Sequence, residues 1–205
     1  MTVSPELDAR FRDTAAAEGL LDVAYDLVDT PIGQLLVAVT DRGLCEIGFD
    51  PEPEREAEAL ARQFGARVLR SPKPTDEARR QLDEYFAGER RRFDLPIDLR
   101  LAREFANAVL KELARVPYGQ LTTYGALAAK AGRPRAARAV GTIMNRNPVP
   151  IVLPCHRVVG STGALTGYGG GLDRKRTLLE LEGALSGRAG QARTASSGRR
   201  RKRTP

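Results

Sequence analysis

The chain is poor in several residue types, and each scarcity excludes a class of protein. Among 205 residues there are two cysteines, one histidine and no tryptophan. Two cysteines are too few for the disulfide framework of a small secreted domain. No apolar run approaches the roughly 18–20 residues that span a bilayer, and the N-terminal stretch lacks the apolar core of a secretory signal. These absences predict a cytoplasmic protein that is not attached to a membrane.

The same scarcity bears on metal binding. A tetrahedral zinc site of the Cys/His type needs four such ligands, whereas this chain offers only Cys45, Cys155 and His156. We therefore predict no metal and no cofactor. Cys45 lies in an apolar run of β character and is expected to be a buried, inert thiol.

Charge is divided unevenly along the chain, although the net value is only +7. Residues 1–100 hold 14 basic and 21 acidic residues, residues 101–185 hold 12 and 5, and residues 186–205 hold 7 and none. An acidic half joined to a basic half indicates that the second half meets a polyanion. Chance drift of surface charge is the alternative at this point.

Turn signals divide the first half into short elements. The stretches LLDVAYDLV, GQLLVAVT and GLCEIGF predict a three-stranded meander, and EPEREAEALARQFG predicts a helix that ends at Gly65. A short strand at ARVLR and a helix at PTDEARRQLDEYFAGE follow, with Thr75 as N-cap and Gly88 as stop. We therefore predict a small α/β domain over residues 22–95, after a leader of residues 1–21 that is either helical or disordered.

The second half, residues 100–185, is predicted to be mostly helical, which makes the fold class α+β. AREFANAVLKELARV has helical spacing, and TTYGALAAKAG and RPRAARAVGTIMNRN predict two short helices joined by a glycine-containing turn. Pro134 is expected near the first turn of the latter, and the two helices with their turn form a helix-turn-helix pattern. Residues 186–205 form a basic tail that is predicted to be disordered. It either adds non-specific DNA affinity or only solvates the end of the chain.

The only histidine stands beside a cysteine in PCHRV, residues 154–158. A free thiol with a pKa near 8.5 is only about 3% thiolate at pH 7, so a reactive cysteine needs a base or a positive field. His156 is a candidate base for Cys155, but adjacency in sequence does not place two side chains together. A buried inert cysteine beside a surface histidine is the alternative.

A third group comes from the last predicted helix, DRKRTLLELEG. Leu172, Leu179 and Glu182 are spaced by seven and three residues, so they are expected to lie near one helical face. A buried carboxylate normally has a partner, and the chain's one imidazole is available. The residues therefore predict a thiol–imidazole–carboxylate relay of Cys155, His156 and Glu182, with the sulfur held as an anion.

These motifs closely resemble those of the O6-alkylguanine-DNA alkyltransferases, also called methylated-DNA–protein-cysteine methyltransferases. Their hallmark Pro-Cys-His-Arg-Val stands at residues 154–158, preceded by Asn-Pro at residues 147–148 and followed by Gly-Tyr-x-Gly-Gly at residues 167–171. The similarity extends over most of the chain and is densest in its second half. It implies a ribonuclease-H-like N-terminal domain, a winged helix-turn-helix-like C-terminal domain, and a monomer without a cofactor.

The resemblance implies a chemical role for each motif residue. Cys155 would attack the alkyl carbon on guanine O6, with His156 as base and Glu182 holding its ring. Asn147 would brace the active-site turn. Tyr124 would donate a proton to the departing base, unless it is only a core tyrosine. The pocket for the base would be formed by Val158, Tyr168 and Gly169.

The resemblance also indicates how DNA would be held. Because the target carbon lies inside a duplex, the nucleotide must be extruded, and Arg138 matches the arginine that fills the vacated stack. A solvent-facing helix charge is the alternative for this residue. Small side chains on its helix permit close approach to the minor groove. The other predicted contacts are Ala136, Ala137, Arg135 and Thr123.

The motifs together predict a DNA repair protein that transfers an alkyl group from O6-alkylguanine in double-stranded DNA to its own Cys155 and is thereby consumed. Whether O4-alkylthymine is also a substrate stays open. A non-repairing sensor of alkylated DNA or a helix-turn-helix regulator is the alternative, and a cysteine hydrolase is a third reading. The intact PCHRV motif favours repair over sensing, and the basic second half disfavours a hydrolase.

Overall fold

A four-stranded sheet organises the first half of the protein in the computed structural model, which describes residues 4–185. Its strands are β1 (Val23–Thr30), β2 (Gly33–Thr40), β3 (Gly43–Phe49) and β4 (Val68–Arg70). Their order is β3-β2-β1-β4, and only the β1–β4 pair is parallel. The predicted meander and the short fourth strand are therefore confirmed.

Three helices accompany the sheet: α1 (Pro5–Ala17), α2 (Pro53–Phe64) and α3 (Asp76–Phe86). The leader is thus helical where it is described. Gly65 ends α2 with a φ of 133°, a conformation that glycine adopts without strain. Thr75 occupies the N-cap position of α3 as predicted, but its hydroxyl makes no capping hydrogen bond and instead donates to the Pro72 carbonyl 2.7 Å away.

The sheet is buried on both faces. Leu36, Cys45 and Leu60 belong to a small cluster on one face, beneath α2. On the other face, Leu35 and Leu82 belong to a large cluster that continues into the second half of the chain. One continuous core therefore joins the sheet to the helices that carry the candidate site.

The segment that joins the two halves packs along the edge of the sheet. The Leu44 amide donates to the Pro96 carbonyl, and the Asp98 amide donates to the Leu44 carbonyl, each over 2.9 Å. Gly43 makes this approach possible, since a Cβ there would lie 2.3 Å from the Pro96 oxygen. The two halves are therefore tied together along the chain that connects them.

The second half contains α4 (Glu104–Ala114), α5 (Tyr124–Lys130), α6 (Ala137–Asn145) and α7 (Leu172–Leu181), with a two-stranded parallel sheet of β5 (Thr122–Thr123) and β6 (Val158–Val159). The Thr123 hydroxyl caps α5 by accepting from the Ala126 amide at 3.1 Å. Helices α5 and α6 pack together through a turn at Gly132. The predicted α+β class and the helix-turn-helix are confirmed.

Pro134 lies in the turn just before α6, which begins at Ala137, and so is near its first turn as predicted. The expectation for Leu172 is wrong. Leu172 is 49% exposed, because it opens α7 beyond the edge of the core, and it does not share a buried face with Leu179 and Glu182. The basic tail lies outside the described residues. Within residues 4–185, the structure contains no helix long and apolar enough to cross a membrane.

Candidate active site

Cys155 lies on a braced turn between α6 and β6. It opens a one-turn 3-10 helix, Cys155–Arg157, and is 4% exposed. The Asn147 amide nitrogen donates to the Leu153 carbonyl at 2.8 Å, and its amide oxygen accepts from the Val149 N–H at 3.2 Å. Ile151 holds a φ of 75°, which is unusual for a branched residue. The asparagine thus fixes the turn as expected, and the strained backbone shows how tightly the turn is held.

His156 and Glu182 meet inside the protein. The His156 Nε2 atom lies 2.9 Å from Glu182 Oε1, and neither side chain is exposed. Glu182 is the C-cap residue of α7, one position beyond its last helical residue. The structure therefore brings together the imidazole and the carboxylate that the sequence singled out.

Three further groups hold the Glu182 carboxylate. Arg157 donates to it twice, from Nε at 2.9 Å and Nη2 at 2.8 Å. The Tyr85 hydroxyl donates from α3 at 2.8 Å, and the Gly119 amide donates at 3.1 Å. These hydrogen bonds from His156 and Arg157 outweigh burial and lower the pKa of Glu182 to about 2. Glu182 is therefore a carboxylate at neutral pH.

The charge on Glu182 fixes the tautomer of His156. A carboxylate can only accept, so the facing Nε2 atom carries the imidazole proton and Nδ1 keeps a free lone pair. Burial lowers the pKa of His156 against the opposing effect of Glu182. The buried Nδ1 atom has no hydrogen-bond partner among residues 4–185. His156 is therefore a neutral base with its accepting atom unused.

The resting state of Cys155 differs from the expectation of a poised anion. Burial raises the pKa of Cys155 to about 11, although a hydrogen bond from Asn147 and the charge of Lys175 act in the opposite direction. At neutral pH the sulfur is therefore a thiol, because the apolar surroundings disfavour the charged form. A base must remove its proton when it reacts.

Lys175 is a site residue that the sequence interpretation missed. Its side chain is fully buried, and its Nζ donates to the carbonyls of Val158 (2.6 Å), Thr166 (2.7 Å) and Gly167 (3.3 Å). Burial lowers the pKa of Lys175 to about 8. It lies seven residues before Glu182, on the same face of α7, and this spacing was the available signal. Lys175 ties the loop after β6 to α7.

The residues predicted to form a base pocket lie around this loop. The Tyr124 hydroxyl donates to the Thr166 carbonyl at 2.9 Å. The Tyr168 hydroxyl is buried and has no partner within residues 4–185, which leaves it free to meet a ligand. Gly169 is exposed at the rim, and Val158 lies on β6 with its carbonyl already bound to Lys175. Tyr124 thus contacts the loop after β6 that carries Tyr168 and Gly169.

The predicted DNA-contacting residues lie at the start of α5, in the turn before α6 and at the start of α6. Arg135 and Arg138 are exposed and have no ion-pair partner in the described part of the chain. Ala136 and Ala137, at the start of α6, are half-buried. The Thr123 hydroxyl is used for capping α5. The exposed part of α6 thus carries small side chains and a positive charge.

Within residues 4–185, no group of three or more histidine, cysteine, aspartate or glutamate side chains is close enough to hold a metal ion. The fold and site define an α+β protein in which a buried cysteine, backed by a histidine–glutamate pair, shares its domain with a helix-turn-helix.

Comparisons with known proteins identify this class more closely. Residues 104–184 match the family model described as "6-O-methylguanine DNA methyltransferase, DNA binding domain", and residues 23–99 match the "ribonuclease-like domain" of the same proteins. The chain therefore belongs to the 6-O-methylguanine DNA methyltransferase family, as its motifs predicted.

Relatives with this architecture are known from bacteria and archaea. A methylated-DNA–protein-cysteine methyltransferase of Mycolicibacterium paratuberculosis is 44% identical over 78% of this chain and 92% of its own. One from Methanosarcina barkeri is 42% identical over 77% of this chain and 96% of its own. The crystal structure of Mycobacterium tuberculosis OGT in complex with DNA is similar with a TM-score of 0.68, at 42% identity over 78% of this chain and 92% of that one.

Proposed function

We propose that the protein repairs O6-alkylguanine in double-stranded DNA by moving the alkyl group, once and irreversibly, to Cys155. The observation that carries this proposal is the His156–Glu182 pair, which supplies a free Nδ1 lone pair next in sequence to the buried thiol. The family of the chain supports the substrate class. We further propose that it acts as a monomer in the cytoplasm.

The proton on Cys155 leaves first. The unused Nδ1 atom of His156 accepts it, through a bridging water, and Glu182 stabilises the imidazolium that forms. Because Glu182 has a pKa of about 2, it remains charged throughout. Because the Glu182 carboxylate stays ionised, it can pair with the positively charged imidazolium of His156.

The alkyl carbon is then displaced in line. A bond forms between Cys155 Sγ and the alkyl carbon as the bond from that carbon to guanine O6 breaks, so the electron pair stays with the guanine. Tyr124 supplies the proton that the departing base needs, in place of its present hydrogen bond to Thr166. Exchange with solvent then restores Tyr124 and His156. The alkyl group stays on Cys155 as a thioether and the thiol is not regenerated, so the protein is consumed.

The base is held by groups around the loop after β6. Tyr168 forms a wall of the pocket, and its unpartnered hydroxyl faces the incoming base. The Val158 carbonyl accepts from the guanine amino group with its second lone pair, the first being used by Lys175. Gly169 leaves the rim open, and Asn147 keeps the cysteine turn in place.

The DNA duplex is held by α6. The target nucleotide must leave the stack to reach a buried sulfur, and the exposed Arg138 fills the gap. Ala136 and Ala137 let the helix approach the minor groove, while Arg135 and Thr123 contact the backbone. This arrangement accounts for the positive charge of the second half of the chain.

Stoichiometry tests the reaction. A duplex with radiolabelled O6-methylguanine should give one methyl group per protein and then stop, and the Cys45→Ala control should do the same. Cys155→Ala should transfer nothing and still bind the duplex. Continued turnover in the wild type, or full transfer by Cys155→Ala, would refute the mechanism.

Arg138 has its own test. Arg138→Ala should slow repair of duplex DNA more than reaction with free O6-benzylguanine, because only the duplex requires nucleotide extrusion. Arg55→Ala, which removes an exposed arginine from α2 in the other half, is the matched control and should change neither rate. Equal losses on both substrates would overturn the role of Arg138.

A further inference from the structure

Arg174 clasps the two halves of the protein. From the first turn of α7 it makes a bidentate pair with Asp50, with Nη1–Oδ2 at 2.8 Å and Nη2–Oδ1 at 2.6 Å. Its Nε donates to the Ile32 carbonyl at 2.7 Å, and Nη1 also reaches the Gly170 carbonyl at 3.2 Å. One side chain thus links two loops of the N-terminal sheet to the loop that carries Tyr168.

Phe49 completes this contact as the last residue of β3. The Arg174 guanidinium lies 5.3 Å from the centre of its ring. The ring also packs against Tyr168, with centroids 5.7 Å apart and planes tilted by 59°. A Cβ on Gly170 would lie 2.8 Å from Phe49, so the loop fits against this ring only with glycine there. The sheet therefore supports the back of the Tyr168 loop.

The N-terminal residues around Arg174 have backbone conformations that accommodate its side chain. Asp50 holds a φ of 48°, in the left-handed region, so that the chain turns at the end of β3. A Cβ on Gly33 would lie 2.9 Å from Arg174 Nη2, so the β1–β2 turn also leaves room for the guanidinium. Both features let the guanidinium reach Asp50 in a bidentate geometry.

We propose that Phe49 and Arg174 are positioning residues that hold the Tyr168 wall of the base pocket in its reactive geometry, an inference that rests on the proposed function. Neither residue belongs to the exposed part of α6. Losing the Phe49 ring frees the Tyr168 loop on one side, so the base is aligned less well with Cys155. Alkyl transfer slows while affinity for DNA is kept.

Substitution of Phe49 tests the alignment. Phe49→Leu should lower the single-turnover rate on a duplex with O6-methylguanine by roughly tenfold, since small misplacements of reacting groups are costly. Duplex affinity, measured in a Cys155→Ala background, should be unchanged. The Phe49→Tyr variant, which keeps an aromatic ring at this position, should react at the wild-type rate. Phe64→Leu is the matched control, because Phe64 is also half-buried under an arginine, with Arg100 5.7 Å from its ring, but does not touch the Tyr168 loop.

A fluorescence measurement distinguishes a role of Phe49 in positioning the Tyr168 loop from a role in folding. The chain has no tryptophan, so Phe49→Trp introduces a single reporter beside Tyr168. Its emission should change when O6-benzylguanine binds or reacts, whereas that of Phe64→Trp should not. A silent Phe49→Trp reporter, or equal rate losses for Phe49→Leu and Phe64→Leu, would overturn the proposal. A wild type without any transfer would refute the proposed function instead, and the reporter titrated with O6-benzylguanine would still decide the positioning role.

Discussion

Cys45 and Cys155 are both buried, 2% and 4% exposed, yet their surroundings differ. The Cys45 thiol lies in the sheet and donates to the Ala38 carbonyl at 3.3 Å. Burial and the nearby Glu46 and Asp98 raise its pKa to about 12. Burial raises that of Cys155 to about 11, and here Asn147 and Lys175 act in the opposite direction.

The comparison indicates that a depressed resting pKa is not what distinguishes Cys155, the proposed nucleophile, from Cys45. Both thiols are protonated at neutral pH, because burial dominates in both places. What Cys155 has and Cys45 lacks is a neutral base next in sequence, oriented by a carboxylate that cannot take up a proton. In the proposed mechanism, reactivity therefore depends on removing a proton at the moment of attack.

The largest expected effect comes from removing that base. His156→Asn should lower the rate with free O6-benzylguanine at pH 7 by roughly 10²–10⁴-fold, the usual contribution of a general base. The wild-type rate should not rise from pH 7 to pH 9, because His156 has a lowered pKa and is already neutral there, whereas the Lys175 charge that favours the thiolate is lost near pH 8. The variant rate should rise with pH towards 11, since only the thiolate then reacts. Parallel pH profiles in single-turnover assays would contradict the relay.

Glu182 should dominate stability in acid. Its folded pKa of about 2 lies below the ordinary 4.5, so its stabilising effect is complete above pH 4.5 and is lost as the pH falls towards 2. The free energy of unfolding in urea should decrease over that range. Glu182→Gln should flatten this decrease and cost about 3 kcal/mol at pH 7, because Arg157 is left buried and unpaired.

The exposed Glu180 on α7 provides the matched control for this measurement. Glu180→Gln should keep both the wild-type stability and its acid dependence. If Glu180→Gln and Glu182→Gln changed the pH dependence equally, the assignment of the acid transition to Glu182 would be wrong.

Lys175 should have a smaller effect on the rate. Lys175→Met removes the charge that opposes the burial of Cys155 and leaves three carbonyls without their donor. We expect a loss of roughly tenfold in transfer to free O6-benzylguanine, about one pKa unit at the thiol. Lys111→Met, at an exposed position on α4, should leave the rate unchanged. Equal rates for the two variants would show that Lys175 has no influence on the thiol.

The smallest effect is expected at Cys45. Cys45→Ala should cost about 1 kcal/mol in the free energy of unfolding, because it removes one small buried group. The alkyl-transfer rate should not change. A clear loss of rate in this variant would mean that the sheet cysteine takes part in the reaction.

The sequence singled out Cys155, His156 and Glu182 as a relay from two adjacent residues and one helical spacing, and the structure brings His156 and Glu182 together. The sequence also predicted the strands and helices, whose patterns are local. It could not predict that Tyr85 and Arg157 share the Glu182 carboxylate, since these contacts form between elements distant in sequence.

The Asp50–Arg174 pair was hidden for the same reason, because its partners are 124 positions apart in the sequence. Lys175 differs from it, because its place on the buried face of α7 was visible in the spacing. The expectation centred instead on Leu172, which the start of the helix leaves exposed. A buried lysine contradicts the usual preference for apolar residues in a core, and only three aligned carbonyls make it acceptable.

The most direct measurement is the location of the alkyl group after reaction. The protein is incubated with a duplex that contains O6-methylguanine and is then digested. The masses of its peptides are measured by mass spectrometry. One methyl group on the peptide with Cys155, and none on the peptide with Cys45, is the expected result. A methyl group on Cys45, or an unmodified Cys155 after the duplex has been repaired, would contradict the account.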